Sequence, residues 1–180
     1  MKKVIVVALV ACLVLAFVGC KTKPPASSGM PSNVAYARRN APEDVLVGIG
    51  TARMANVAQS RSLAATRARA EISNTMNVMI KNMASDYWAS SEVDPQAQVA
   101  FAENITVTLS KSNLSGAVIQ FEEPDNDGNW WCVMYLSKSN VTREISQAQA
   151  AARLAVPQAA SIDATARMDE MFEKAKREDW

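Results

Sequence analysis

Few side chains in this chain could carry chemistry. The 180 residues include three cysteines and no histidine. Without histidine, the commonest general base and a frequent metal ligand are missing, and neither a Ser/His/Asp nor a Cys/His catalytic arrangement can form. Cys132 falls in a predicted strand between Trp131 and Val133, where a buried thiol is usually inert. The composition therefore predicts a protein that is not an enzyme and has neither catalytic residues nor a cofactor.

A cluster of carboxylates raises the possibility of a cation site. Glu122, Glu123, Asp125 and Asp127 lie close together in "EEPDNDG", and Ca²⁺ is bound by oxygen ligands of this kind. Their spacing is not that of an EF-hand loop, and a solvated turn has the same composition. We therefore predict a solvated turn and no metal site.

Cys20 follows a segment with the layout of an export signal. Lys2 and Lys3 precede fifteen apolar residues, Val4 to Val18. This run is shorter than the about 20 residues that a transmembrane helix needs, and it fits the about 7–15 residues of an export signal. Gly19-Cys20 then resembles the junction of a bacterial lipoprotein signal, which implies lipidation of Cys20 after cleavage. The alternative is an ordinary secretory signal with an incidental cysteine, although cysteine is uncommon at such junctions.

Lipidation would make the membrane a partner of this chain, because several acyl chains hold a protein stably at a bilayer surface. Lys21 does not resemble the acidic retention signal of inner-membrane lipoproteins, so the predicted location is the cell envelope, at the outer membrane. After cleavage, the chain contains seventeen basic and eighteen acidic residues. Basic and acidic residues are interleaved, so we predict that the chain does not bind nucleic acid.

The composition divides the chain into four parts. Residues 1–19 are the predicted signal peptide, and residues 20–44, rich in proline, serine and glycine, are a lipidated N-terminus and flexible tether. Residues 45–138 carry the patterns of a folded domain, and residues 139–180 are a helical extension rich in alanine and charge. Cys12 leaves with the signal and Cys20 is used by lipid, so no internal disulfide can form in the mature chain.

The folded domain begins with "DVLVGIGTA", which alternates like a strand. Gly48 and Gly50 leave one face nearly bare, so another backbone can approach closely. The pair also suggests a nucleotide-binding loop, but Arg53 stands where the third glycine of that motif is needed. We predict a strand that packs closely against a helix.

A long helix should follow, because Asn56 is a good N-cap and Gln59 lies three residues further on. Its apolar residues step by three or four positions and so form one face. That face consists of Ala65, Ala68, Ile72, Met76, Met79, Met83 and Tyr87. The small alanines should lie against Gly48 and Gly50, and the methionines favour core over a binding groove.

The next segments predict an ambiguous element and then a hairpin. Within residues 97–111, Ile105, Val107 and Leu109 alternate like a strand, whereas Phe101, Ile105 and Leu109 recur like a helix. "NLSGAVIQFEE" and "NWWCVMYLS" then read as two antiparallel strands joined by "PDNDG". Beyond them, Pro157 divides two predicted helices. The apolar stripe of the second helix, which should pack on the sheet or on another protomer, is Ile162, Thr165, Met168, Phe172 and Ala175.

Four stretches in this order resemble the Lpp-twenty family of bacterial outer-membrane lipoproteins, with a FlgP-like domain: "VGIGTA", "ATRARAEIS", "NLSGAVIQF" and "DNDGNWWCVMYLS". The resemblance covers about residues 45–138. It implies an α+β domain without a catalytic centre, a helix over residues 97–111 and, in some members, a part in motility structures or surface antigenicity. The expected fold is α+β, with a small antiparallel three-stranded sheet packed against a long helix, and additional C-terminal helices.

Two functions fit these patterns. The first is a structural or assembly lipoprotein, whose partner is a second copy in a homo-oligomer or another envelope protein. The second is a periplasmic or surface binding module, with a pocket between the long helix and the sheet for a small apolar or peptidoglycan-derived ligand. We favour the first, because no polar groups that converge on a pocket can be identified in the sequence.

Overall fold

The computed structural model describes residues 29–88 and 91–177, and from Pro31 onward the chain is one compact unit. The described residues contain five α-helices and three strands, which are, in chain order, α1 (Ser32–Arg39), β1 (Val45–Ala52), α2 (Val57–Asp86), α3 (Pro95–Lys111), β2 (Val118–Pro124), β3 (Trp130–Ser137), α4 (Lys138–Ala155) and α5 (Met168–Arg177). The α+β class is therefore confirmed. None of the described helices is both long and apolar enough to cross a membrane.

The three strands form one antiparallel sheet in the order β1-β3-β2. Gly48 pairs with Met134 in the first ladder, and Val118 pairs with Tyr135 in the second. The second ladder is irregular between Ile119 and Phe121. The predicted hairpin is confirmed, and its second strand is the central strand of the sheet.

Helix α2 packs across β1 and β3, as the glycine strand predicts. The side chain of Asn56 caps the helix by accepting hydrogen bonds from the backbone N–H groups of Ala58, at 2.8 Å, and Gln59. A Cβ atom added to Gly50 would collide with the carbonyl oxygen of Ala64. The helix backbone therefore approaches the strand more closely than any side chain on β1 would allow.

The buried face of α2 differs slightly from the predicted stripe. Ala64 is fully buried and makes the contact with the sheet, whereas Ala65 and Tyr87 are partly exposed. Ala64 and not Ala65 meets the sheet because the helix contacts β1 through its backbone, at the residue nearest Gly50. The methionine half of the stripe is core, because Met76 and Met79 are fully buried.

The face of the sheet opposite α2 is covered by α1, which lies inside the predicted tether of residues 20–44. That prediction of a flexible tether is wrong for residues 32–39. Val34 is fully buried, and the hydroxyl of Tyr135 on β3 donates a hydrogen bond to the carbonyl oxygen of Ala37 at 2.7 Å. A short segment with one core residue has no apolar period, so contacts with the sheet determine its helical state.

The ambiguous segment over residues 97–111 is helical, as the family resemblance implies. Asp94 caps α3 by accepting a hydrogen bond from the backbone N–H of Gln96 at 2.9 Å, and proline occupies the first turn. Ile105 and Leu109 are buried while Val107 is exposed. This burial follows the helical spacing and not the strand alternation.

The C-terminal helices belong to the same core as the sheet domain. Pro157 opens a short 3-10 helix between α4 and α5. Helix α5 has three buried residues, Met168, Phe172 and Ala175. It contacts α2, and its Lys174 forms an ion pair with Asp86 of α2 at 3.1 Å. The part of the predicted stripe that lies on α5 therefore packs on the long helix of its own chain, an arrangement that differs from both of the predicted alternatives, whereas Ile162 and Thr165 precede the helix.

Candidate functional site

The predicted lipidation site, Cys20, lies outside the described residues. The other cysteine of the predicted mature chain, Cys132, is fully buried on the face of β3 that α2 covers. Burial raises the pKa of the Cys132 thiol, and the charge of Arg69 opposes this shift. A thiol that is both buried and protonated at neutral pH has no means of acting as a nucleophile.

Three of the four carboxylates of the hairpin make contacts separate from one another. Asp125 accepts hydrogen bonds from the side chains of Trp131 (3.0 Å) and Asn129 (2.7 Å) and from the backbone N–H groups of Asn129 and Asp127. The hydrogen bonds from Trp131 and Asn129 lower the pKa of Asp125 to about 2. Its carboxylate therefore organises the turn.

Two neighbouring carboxylates of β2 contact other elements. Glu122 forms an ion pair with Arg61, whose guanidinium also lies over the ring of Trp130 at 5.3 Å. Glu123 accepts a hydrogen bond from the side chain of Asn33 on α1. Across the described ranges, no group of three or more His, Cys, Asp and Glu side chains is arranged to hold a metal ion.

The outer edge of β1 is partly closed by side chains of α2, which bond two of its backbone groups. The backbone N–H of Ile49 donates a hydrogen bond to the carboxylate of Glu71, and Arg67 donates to the carbonyl oxygen of Thr51 at 2.5 Å. Burial raises the pKa of Glu71, while the hydrogen bond from Ile49 and the charge of Arg38 act in the opposite direction. These contacts satisfy backbone groups that a free edge would offer to another strand.

The outer edge of β2 is open by comparison. In the part of the chain that the structure describes, β2 pairs with β3 alone and forms the edge of the sheet. Val118 is 60% exposed and Ile119 is 45% exposed. An exposed edge strand with apolar side chains is a template for pairing with another strand.

The interface between the long helix and the sheet is filled at the glycine face of β1. Ala64 and Ala68 of α2 lie in direct contact with Gly48 and Gly50, which leaves no space along this part of the interface. Trp88, near the end of α2, is buried against Phe101 of α3, with ring centroids 5.6 Å apart.

A groove whose larger part is polar lies elsewhere, where the end of α3 meets α4. It consists of two adjoining cavities of about 570 Å³ and 390 Å³. Both cavities are lined by Ser112, Glu144 and Gln147. The larger cavity is also lined by Arg143, and the smaller one by Lys111. Glu144 is buried, and one of its carboxylate oxygens accepts a hydrogen bond from the hydroxyl of Ser112 at 2.5 Å.

Sequence reasoning missed Glu144, because a glutamate in an alanine- and charge-rich helix reads as a solvated residue. A signal was nevertheless present in its position. Glu144 lies three residues after Val141 and four before Ala148, both of which are buried. That spacing places it on the apolar face of α4, where a charged residue is unusual.

Comparisons with known proteins give no match for this chain among family models, curated proteins or solved structures. The resemblance to the Lpp-twenty family therefore rests on the four sequence stretches alone.

Proposed function

We propose that this chain is a bacterial cell-envelope lipoprotein, anchored through lipid on Cys20 at the outer membrane. Its role is structural and not enzymatic, and copies of the folded domain join through the outer edge of β2. The observation that carries the assembly role is the contrast between the two sheet edges. Glu71 and Arg67 partly close the edge of β1, whereas Val118 and Ile119 are exposed on an open β2.

Two other apolar surfaces that could serve assembly, those of α1 and α5, are used within the protomer. The stripe of α5 packs on α2, and α1 packs on the second face of the sheet. Val34 is fully buried in that second contact. These contacts favour the strand edge over a helical interface as the site of self-association.

The absence of histidine and the burial of Cys132 support a non-enzymatic role. Of the hairpin carboxylates, Glu122 is engaged by Arg61, Glu123 by Asn33 and Asp125 by the turn itself. Such contacts stabilise the fold and leave these groups without the open approach that a catalytic acid or base requires.

The experiment that tests the assembly role is light scattering after size-exclusion chromatography, on the full chain in detergent micelles. Val118→Lys places a charge at the open edge, and Val99→Lys is the matched control, because Val99 on α3 is 57% exposed and lies away from the sheet. We expect an oligomer for the parent chain and for Val99→Lys, and a monomer for Val118→Lys. A monomeric parent chain at all concentrations would show that the proposed self-association is wrong.

A further inference from the structure

A buried carboxylate lies at the base of the groove between α3 and α4. The side chain of Glu144 is 6% exposed, and it lines both cavities. The hydroxyl of Ser112 donates to one oxygen, and the other forms an ion pair with the guanidinium of Arg143, whose nearest nitrogen lies 3.6 Å away, beyond hydrogen-bond distance. A carboxylate accepts about four hydrogen bonds. Glu144 therefore retains acceptor capacity towards a donor that enters the groove.

Cationic side chains lie at the rim of the same groove. Arg143 is held in place by its hydrogen bond to the carbonyl oxygen of Ser115, and its guanidinium has further N–H groups available for a second acceptor. Lys111 is exposed beside the second cavity. The buried carboxylate of Glu144 and the cationic side chains of the rim thus lie in one groove, together with the hydroxyl of Ser112 and the amide of Gln147.

This arrangement selects the chemistry of a ligand. A purely anionic molecule is repelled by Glu144, and an apolar molecule meets a lining of charged groups, hydroxyls and amides in the larger cavity. A molecule with an ammonium and a carboxylate close together satisfies both sets of charges. An ammonium group donates up to three hydrogen bonds, and an arginine binds a carboxylate in bidentate geometry.

We propose that the groove binds a small zwitterion, such as a free amino acid or a short peptide with free ends. The ammonium group binds Glu144, and the carboxylate binds Arg143 with support from Lys111. This inference goes beyond the proposed assembly role, since the groove is formed within one protomer.

The test uses the full chain in detergent micelles and three probes: dialanine, N-acetyl-dialanine and dialanine amide. Ligand-observed NMR titration should give dialanine a Kd on the order of 1 mM, and blocking either end should weaken binding by about tenfold or more. Glu144→Gln should weaken dialanine binding by about tenfold. The matched control is Glu103→Gln, an exposed glutamate on α3 outside the groove, which should bind as the parent chain does.

Equal affinity for the three probes would overturn the proposal, as would the failure of dialanine to saturate at about 100 mM. The same conclusion would follow if Glu144→Gln remained folded and bound dialanine unchanged. If Glu144→Gln failed to fold, as judged by its melting curve, the exposed variant Arg143→Gln would decide the matter. It must weaken the binding of dialanine and leave that of dialanine amide unchanged.

Discussion

The backbone N–H of Ile49 at the outer edge of β1 donates a hydrogen bond to the carboxylate of Glu71 on α2. This contact joins the sheet to the long helix and occupies a donor that an edge strand otherwise leaves free. It also places a carboxylate in a partly buried position, which raises its pKa. The contact therefore satisfies a backbone donor, which is favourable, and partly buries a charge, which is unfavourable. Two substitutions can separate these effects.

Glu71→Leu should lower the free energy of unfolding by about 1 kcal/mol, because the N–H of Ile49 loses its acceptor. Glu71→Gln keeps an acceptor oxygen and removes the charge. The pKa of Glu71 is raised on folding, so its contribution to stability is greatest below about pH 4.5 and is lost as pH rises through the folded-state pKa. Urea unfolding should show the Gln variant gaining stability relative to the parent chain between about pH 4 and pH 7. A loss over the same interval would contradict this assignment.

Gly50→Ala should be strongly destabilising, because its methyl group would collide with the carbonyl oxygen of Ala64. We expect a loss of about 3 kcal/mol, at the upper end of the cost of overpacking, or a failure to fold. The matched control is Gly128→Ala in the hairpin turn, where φ is +81° and a Cβ meets open space. There the positive φ alone should cost about 1 kcal/mol. Similar urea midpoints for the two variants would disprove close contact between α2 and β1.

Asp125→Ala should lower the melting temperature at neutral pH, because the turn loses the acceptor shared by Trp131 and Asn129. The folded-state pKa of Asp125 is depressed from 3.8 to about 2, so its stabilising effect is present above pH 3.8 and is lost as pH falls towards 2. The difference in melting temperature from the parent chain should therefore shrink with acid.

Asp127→Ala is the control for this turn, since Asp127 contributes its backbone N–H and alanine retains that group. Trp131 fluorescence should report the change locally, because its indole N–H donates to Asp125. A pH-independent difference between Asp125→Ala and the parent chain would rule out the carboxylate charge as its source.

Cys20→Ala should release the protein from membranes, because the proposed anchor is lipid on that thiol. After separation of membranes by sedimentation and a high-salt wash, the parent chain should remain in the pellet and the variant should not. Cys132→Ala is the control, since that cysteine is buried in the folded domain. Retention of the Cys20 variant would show that another segment holds the protein at the membrane.

Local patterns were sufficient for the elements whose signals lie within a few residues. Asn56 marks the start of α2, Gly48 and Gly50 predict its close approach to β1, and "PDNDG" predicts the hairpin turn. Capping, close packing and turn formation depend on short-range sterics and hydrogen bonds. The α+β fold class could be predicted from these features for the same reason.

Other features depend on residues far apart in the chain, and only the folded structure reveals them. Helix α1 forms where Val34 meets the sheet, and Glu71 acquires its role from Ile49, 22 residues away. Glu144 lies at the floor of a groove, where it accepts a hydrogen bond from Ser112, 32 residues earlier in the chain. Long-range hydrogen bonds are properties of the assembled core. Periodicity therefore places Glu144 on the apolar face of α4, but it gives neither the hydrogen bonds at the edge of β1 nor the groove.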